Sequence, residues 1–384
     1  MKVLMVSKAL VVGTYQRKLE EIAAQPELEL TVAVPPFWRE KGHDWRLEIG
    51  FGAGYALKIV PMRFNGHYHY HYYPGLDRLL DQVKPDLLHF DEEAYNLSTW
   101  LALRAARRRG VPLVFFTWQN IPRHYPPPFG WMEDQVLRHA ALCLAGNADA
   151  ADIVRRKGFT GMLEVIPQFG TDPEFFRPGP AADSGDRRPF TVGFVGRLIP
   201  AKGLRVLLDA LAGLAADWRL VVVGSGPGRD DDIEYVRGLG VEDRVTFAGQ
   251  VASTAMPEMY RAFDVLVGPS LTTPRWKEQF GRMFVEAMAC GVPVIGSDSG
   301  EIPRVIGDSG LIVPENDVQA LREALKRLYH DSALRAHLGI AGRQRVLECF
   351  TQAAIAERTV EAYRRVGFVP RGLRPRPDAR DGTG

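Results

Sequence analysis

Residues 190–224 read FTVGFVGRLIPAKGLRVLLDALAGLAADWRLVVVG. The apolar run Thr191 to Gly196 ends at a glycine, a short loop carries Lys202 and Gly203, GLRVLLDALAGL repeats its apolar residues at helical spacing, and RLVVVG is a second apolar run. Runs that are apolar throughout belong to strands covered on both faces, and strand, helix, strand at this spacing is a parallel crossover. The same rhythm continues outward. Strands RVTFAG, FDVLVG and VPVIGS and helix GRMFVEAMACG follow it. Before it, Val3 to Val6, Leu30 to Val34, Leu57 to Val60, Leu87 to Phe90, Leu113 to Thr117 and Leu142 to Ala145 read as strands, with helices such as Leu97 to Arg109 and Trp131 to His139 between them. The expected fold class is α/β, with two doubly wound, Rossmann-like domains whose carboxyl-end loops face a ligand-binding cleft.

The break between them is PQFGTDPEFFRPGPAADSGDRRP, Pro167 to Pro189, where Pro, Gly, Asp and Ser cluster. The expected organisation is a first domain over 1–170, a linker over 171–189, a second domain over 190–350, and a helix over 351–367 for which packing back on the first domain is one option. The tail 368–384, containing RGLRPRPDARDGTG, lacks apolar period and is expected to be disordered. A length of 384 residues fits two domains at about 150 residues each. With 48 basic against 46 acidic side chains the net charge is +2, too small a field for a nucleic-acid partner. Cys143, Cys290 and Cys349 are too few and too scattered for a disulfide framework or a zinc site, which points to a reducing compartment. No apolar stretch is long enough to span a bilayer, and MKVLMVSKALVVGTY, broken by Lys8, reads as a first strand rather than a signal peptide. The expected location is cytoplasmic, with peripheral contact at the membrane face left open.

Chemistry concentrates in the second domain. In FVGRLIPAKGL, Gly196 and Gly203 permit close backbone approach, while Arg197 offers a planar fork and Lys202 a point charge, a reasonable cradle for a diphosphate. A solvated loop explains the same residues. In PSLTTPRWKEQFGRMFVEAMACG, Glu278 precedes a helix and Glu286 lies inside it, one turn beyond Arg282. Carboxylates so placed accept hydrogen bonds from sugar and ribose hydroxyls, or else Arg282 and Glu286 form a surface pair and Glu278 serves the helix dipole. The triple Asp230-Asp231-Asp232 is expected to cap and acidify a helix start rather than hold a metal, and Gly224 belongs to a turn, GSGPG, beside the same cradle.

Taken together, Glu278 and Glu286 with seven residues between them, Phe280-Gly281 after the first and Ala287-Met288-Ala289 after the second, with GRLIPAKG, VVVGSGPG, RVTFAGQV, VGPS and GVPVIGSDSGEIPRVI in order, resemble the retaining, GT-B-fold glycosyltransferases of family 4. The resemblance covers most of the second domain. It implies that Arg197 and Lys202 hold a donor diphosphate, that Glu286 binds the nucleotide ribose, and that Glu278 with Gln279, Phe280 and Gly281 holds the donor sugar. Val251, in the region Phe247 to Val251, would meet the base. It implies sugar transfer from a nucleoside diphosphate donor to an acceptor hydroxyl in polysaccharide, glycolipid or glycosylated-metabolite synthesis, with retained configuration and neither metal nor cofactor; a UDP-sugar is favoured over a GDP-sugar, although no sequence rule separates the two bases. A sugar-nucleotide epimerase on the same fold, or a catalytically silent carbohydrate-binding or scaffold protein, are the alternatives.

In the first domain the likeness is weaker. Gly13 stands alone where the family has a glycine-rich loop near the donor phosphate. After strand PLVFFT comes Trp118-Gln119-Asn120, so Gln119 occupies the place of a family histidine; an amide can bond a sugar hydroxyl but cannot act as a base near neutral pH. His124 would replace it only if IPRHYPPPF folds back. Asp91, Glu92 and Glu93 follow strand LLHF and either bind an acceptor or simply acidify a loop. In GHYHYHYYPG an extended strand would put His67, His69 and His71 on one face, for which an aromatic platform is a better reading than a metal. Arg104, Arg107, Arg108 and Arg109 complement a helix dipole or touch anionic lipid headgroups.

Overall fold

A computed structural model describes residues 1–40, 42–179 and 188–367. The expected tail and much of the 171–189 linker lie outside the described residues. The chain divides into two compact units: Met1–Gly170 with the chain from Gln352 onward, and Thr171–Thr351.

In the first unit the strands are β1 (Lys2–Val6), β2 (Glu29–Val34), β3 (Phe37–Glu40), β4 (His43–Arg46), β5 (Ala56–Ile59), β6 (Leu87–Phe90), β7 (Leu113–Thr117), β8 (Leu142–Ala145) and β9 (Met162–Val165). Seven of them form a parallel sheet in the order β5-β2-β1-β6-β7-β8-β9, and β3 and β4 pair separately as an antiparallel hairpin. Alternation along β1 sends Leu4 and Val6 into one core and Val3 and Met5 into the other, so both faces are covered. Helix Gln352–Gly367 closes the second of these cores with Ile355, Val360, Tyr363 and Val366, at helical spacing. The Tyr363 hydroxyl lies 2.5 Å from His89 Nδ1 on β6. Burial holds the His89 imidazole down to about 4, so it stays neutral beneath the helix.

The second unit is one parallel sheet, β10 (Phe190–Val195), β11 (Trp218–Val223), β12 (Val245–Gly249), β13 (Val265–Gly268), β14 (Val294–Ser297) and β15 (Leu311–Val313), in the order β12-β11-β10-β13-β14-β15. Strand order reverses between β10 and β13, the place where such sheets bind ligands beyond their carboxyl ends. The loops there touch backbone to backbone. A Cβ on Gly203, at φ +73°, would stand 1.9 Å from the Pro269 carbonyl oxygen, and one on Gly224, at φ +133°, 1.9 Å from that of Gly196. No side chain fits either position.

Two local expectations change, and one element was not foreseen. The segment around His67, His69 and His71 is a turn, with His71 N–H bonded to the His67 carbonyl, and not an extended strand, so the three imidazoles do not share a face. The hairpin of β3 and β4 carries too few apolar residues in alternation to have been legible. Asp230, Asp231 and Asp232 fill the first turn of helix Arg229–Gly238, but Gly228 is the cap residue and no side chain caps it. Among the described residues no helix is long and apolar enough to cross a membrane.

Candidate functional site

In the second unit Lys202 and Glu278 meet beyond the β10/β13 reversal. Lys202 ends the short 3-10 turn Pro200–Lys202 after β10, and Glu278 follows β13. Lys202 Nζ donates to Glu278 Oε2 at 2.5 Å, both side chains being largely buried. The same carboxylate oxygen accepts from Ser270 Oγ at 3.1 Å, and Ser270 is held in turn by Ser297 Oγ, which donates to its carbonyl at 2.5 Å. The ammonium also lies 5.1 Å from the Trp276 ring centroid. Arg197, expected beside Lys202, leaves its guanidinium exposed. Gln279, Phe280 and Gly281 lead from Glu278 into helix Arg282–Ala289; Gln279 is exposed, and Phe280 packs edge-on against Phe350 at 5.7 Å.

Glu286 is a largely buried carboxylate on that helix. Arg282 Nε donates to its Oε1 at 2.7 Å, so the i, i+4 pair does form. The Tyr260 hydroxyl donates to Oε2 at 2.8 Å. Val251 is half-buried against the apolar cluster that contains Tyr260. Ser270, Trp276 and Tyr260 were not anticipated. Only the serine had a signal, a small hydroxyl residue directly after an apolar strand in VGPS.

The first unit holds a denser polar layer beyond β1, β6 and β7. Glu92 is fully buried and accepts hydrogen bonds from Lys8 Nζ at 2.5 Å, Tyr73 Oη at 3.1 Å and Asn96 Nδ2 at 3.2 Å, with His71 Nε2 at 2.5 Å. Burial alone would push its carboxyl up, but the charges of His71 and Lys8 and their hydrogen bonds outweigh burial and hold it well below the usual range. Asp91 accepts from Ser7 Oγ at 2.7 Å and Gln168 Nε2 at 2.8 Å. Both acids are held in buried hydrogen-bond networks rather than in a solvated loop.

Glu93 differs. It accepts from Thr117 Oγ1 at 2.7 Å and Trp118 N–H at 2.8 Å, yet burial outweighs both bonds and pushes its carboxyl up to about 7. The sign follows from proton binding. Between the ordinary carboxylate range and about pH 7 the folded chain binds the Glu93 proton more tightly than the unfolded chain does, so this group's contribution to stability falls as pH rises through that window and is level above it. Urea midpoints at pH 5 and pH 8 should therefore draw closer together in Glu93→Gln than in the parent; an unchanged difference would show that Glu93 does not titrate there.

Gln119 stands at the end of β7, where the sequence places it. Lys157 Nζ donates to its Oε1 at 3.1 Å and to Glu133 Oε1 at 2.6 Å, while Gln119 Nε2 is buried with no partner. His124 is exposed on the following loop. The Gly13 N–H is occupied by Glu48 Oε2 at 3.1 Å, so this loop presents a carboxylate rather than a bare donor for phosphate. Arg108 and Arg109 are paired with Asp77, and Arg109 with Asp81, which neutralises half of the expected basic cluster.

A family model described as "Glycosyl transferases group 1" matches residues 182–345, and one described as "Glycosyl transferase 4-like domain" matches residues 12–168. The D-inositol 3-phosphate glycosyltransferase of Salinispora arenicola is 31% identical over 334 residues, 77% of this chain and 68% of that one. The chain belongs to the family 4 glycosyltransferases. Another family 4 relative, the GDP-mannose-dependent alpha-(1-6)-phosphatidylinositol monomannoside mannosyltransferase of Mycolicibacterium smegmatis, is 31% identical over 241 residues, 57% of this chain and 63% of that one. Its counterpart in Mycobacterium tuberculosis H37Rv is 34% identical over 200 residues, 49% of this chain and 52% of that one, so the chain spans about half to two thirds of these mannosyltransferases. Among solved structures, Anabaena HepE in complex with UDP aligns with TM-score 0.71 at 20% identity, over 95% of this chain and 100% of that one. Sucrose-phosphate synthase from Thermosynechococcus elongatus aligns with TM-score 0.69 at 22% identity, over 95% and 99%. These likenesses show the GT-B fold of this family 4 chain.

Proposed function

We propose that the protein transfers a sugar from a nucleoside diphosphate sugar to an acceptor hydroxyl, with retention and without a metal, the second unit holding the donor and the first the acceptor. The contact between Lys202 and Glu278 carries this reading. An ammonium and a carboxylate side by side beyond the strand-order reversal match the two ends of such a donor, an anionic diphosphate and a hydroxyl-bearing sugar. Breaking the bond between the anomeric carbon and the phosphate oxygen leaves negative charge on the diphosphate and an oxocarbenium-like sugar; Lys202, with Arg197 from the exposed loop, stabilises the leaving group. In this reading Glu278 and the Gln279 to Gly281 backbone orient the sugar, Glu286 takes the ribose, and Gly224 and Val251 flank the nucleotide, while Gln119 is kept for a sugar hydroxyl.

For the donor, the sequence resemblance inclines to UDP. GDP-mannose is a second reading, because relatives at 31 to 34% identity carry it in their names. The names of the relatives also make inositol phosphate and phosphatidylinositol mannoside the acceptors to try first. Incubation with UDP-glucose or GDP-mannose, with and without these acceptors, should release the nucleoside diphosphate faster with acceptor present. An altered sugar nucleotide formed without acceptor identifies an epimerase; the absence of both turnover and nucleotide binding identifies a silent scaffold.

A further inference from the structure

Glu286 is an anomaly on its own helix. Apart from Arg282, the other residues of Arg282–Ala289 are buried apolar side chains, while the Glu286 carboxylate sits among them with 12% of its side chain exposed. A carboxylate at this depth is costly unless its oxygens are satisfied. One satisfying group is unusual. Tyr260, on helix Met256–Arg261, is fully buried, and its ring is wedged edge-on against Phe263 at 6.2 Å and Phe176 at 6.1 Å. A phenol so clamped cannot swing aside, and burial together with the neighbouring Glu286 charge keeps its hydroxyl protonated as a donor. Arg282, by contrast, is about half exposed.

The hydrogen bonds fix the carboxylate plane. Tyr260 donates to Oε2 and Arg282 to Oε1, one bond to each oxygen. A carboxylate offers about four lone-pair directions, so each oxygen keeps one in reserve. Two parallel acceptors on one rigid group match two adjacent hydroxyls on a five-membered ring.

We propose that Tyr260 is a positioning residue for the donor: by fixing the Glu286 carboxylate it aims the remaining lone pairs at the 2′ and 3′ hydroxyls of the ribose, and so makes the site selective for ribonucleotides over 2′-deoxyribonucleotides. This rests on the reading of Glu286 as the ribose ligand. A purely structural role, in which Tyr260 only ties two helices together, would affect every nucleotide alike.

Calorimetric titration of the full chain with UDP, GDP and their 2′-deoxy counterparts separates these cases, for the parent and for Tyr260→Phe, which removes one oxygen and keeps the ring. The parent should bind its preferred ribonucleotide roughly tenfold more tightly than the 2′-deoxy form, and Tyr260→Phe should lose most of that ratio through weaker ribonucleotide binding, with deoxynucleotide affinity little changed. A parent that does not distinguish the two forms overturns the ribose reading of Glu286, and this proposal with it. A parent that distinguishes them while Tyr260→Phe keeps the same ratio, whether or not both affinities and the melting temperature fall together, overturns the Tyr260 proposal alone.

Discussion

Lys202→Met is expected to slow sugar transfer by about 10²–10³-fold and to weaken binding of the nucleoside diphosphate, the scale seen when one preorganised group is removed from a developing negative charge. The side chain is mostly buried and stands against Glu278, so the substitution acts twice. It removes the charge proposed to meet the leaving diphosphate. It also strips the closest cation from a carboxylate that keeps Ser270 as a hydrogen-bond donor. An ammonium has three donors, so diphosphate binding does not require Lys202 to leave Glu278; one N–H can stay on the carboxylate while others turn to phosphate. The two contributions separate in a cycle with Glu278→Gln. If both act through their mutual contact, the double variant will fall less than the sum of the single losses. Lys202→Met with parent-like transfer rate and nucleotide affinity would sink the diphosphate assignment.

The largest effect on stability is expected at Glu92. Glu92→Ala leaves the largely buried Lys8 and the buried His71 without their shared anion, and breaking one partner out of a buried charged network costs about 3–5 kcal/mol. Surface pairs give the contrast. Asp77, about half exposed where it meets Arg108, should cost no more than about 1 kcal/mol when changed to Asn. Urea unfolding of the two variants at neutral pH tests the difference; equal losses would mean that the Glu92 network carries no special weight. The pH sign is opposite to that of Glu93. Because the folded-state proton affinity of Glu92 is depressed, its stabilisation is present above the ordinary carboxylate range and is lost as pH falls below it.

Much of the fold was readable because parallel strands buried on both faces must be apolar along their whole length. Leu87–Phe90, Leu113–Thr117 and Leu142–Ala145 begin and end where the sequence places them. The hairpin Phe37–Glu40 with His43–Arg46 was not readable, since its pairing rests on a local turn and its second strand is exposed. GHYHYHYYPG misled for a related reason. Period-two alternation signals a strand only where a neighbouring strand completes the ladder, and here the backbone bonds to itself within the turn.

The candidate site divides in the same way. Residue types and spacing in two segments of the second unit made Arg197, Lys202, Glu278 and Glu286 candidates, and the family resemblance added Gln119. Which of them meet was settled only by tertiary packing. Lys202 and Glu278 are brought together from loops far apart in sequence, Arg197 is left in solvent, Tyr260 arrives at Glu286 from a separate helix, and of Glu92 and Glu93, adjacent in sequence, burial raises the second while the charges and hydrogen bonds of His71 and Lys8 lower the first. Backbone pattern is a short-range property, governed by which residues tolerate burial in a strand or helix. The partner and proton affinity of a side chain depend on what the fold places within a few ångströms of it, and no local stretch of sequence contains that information.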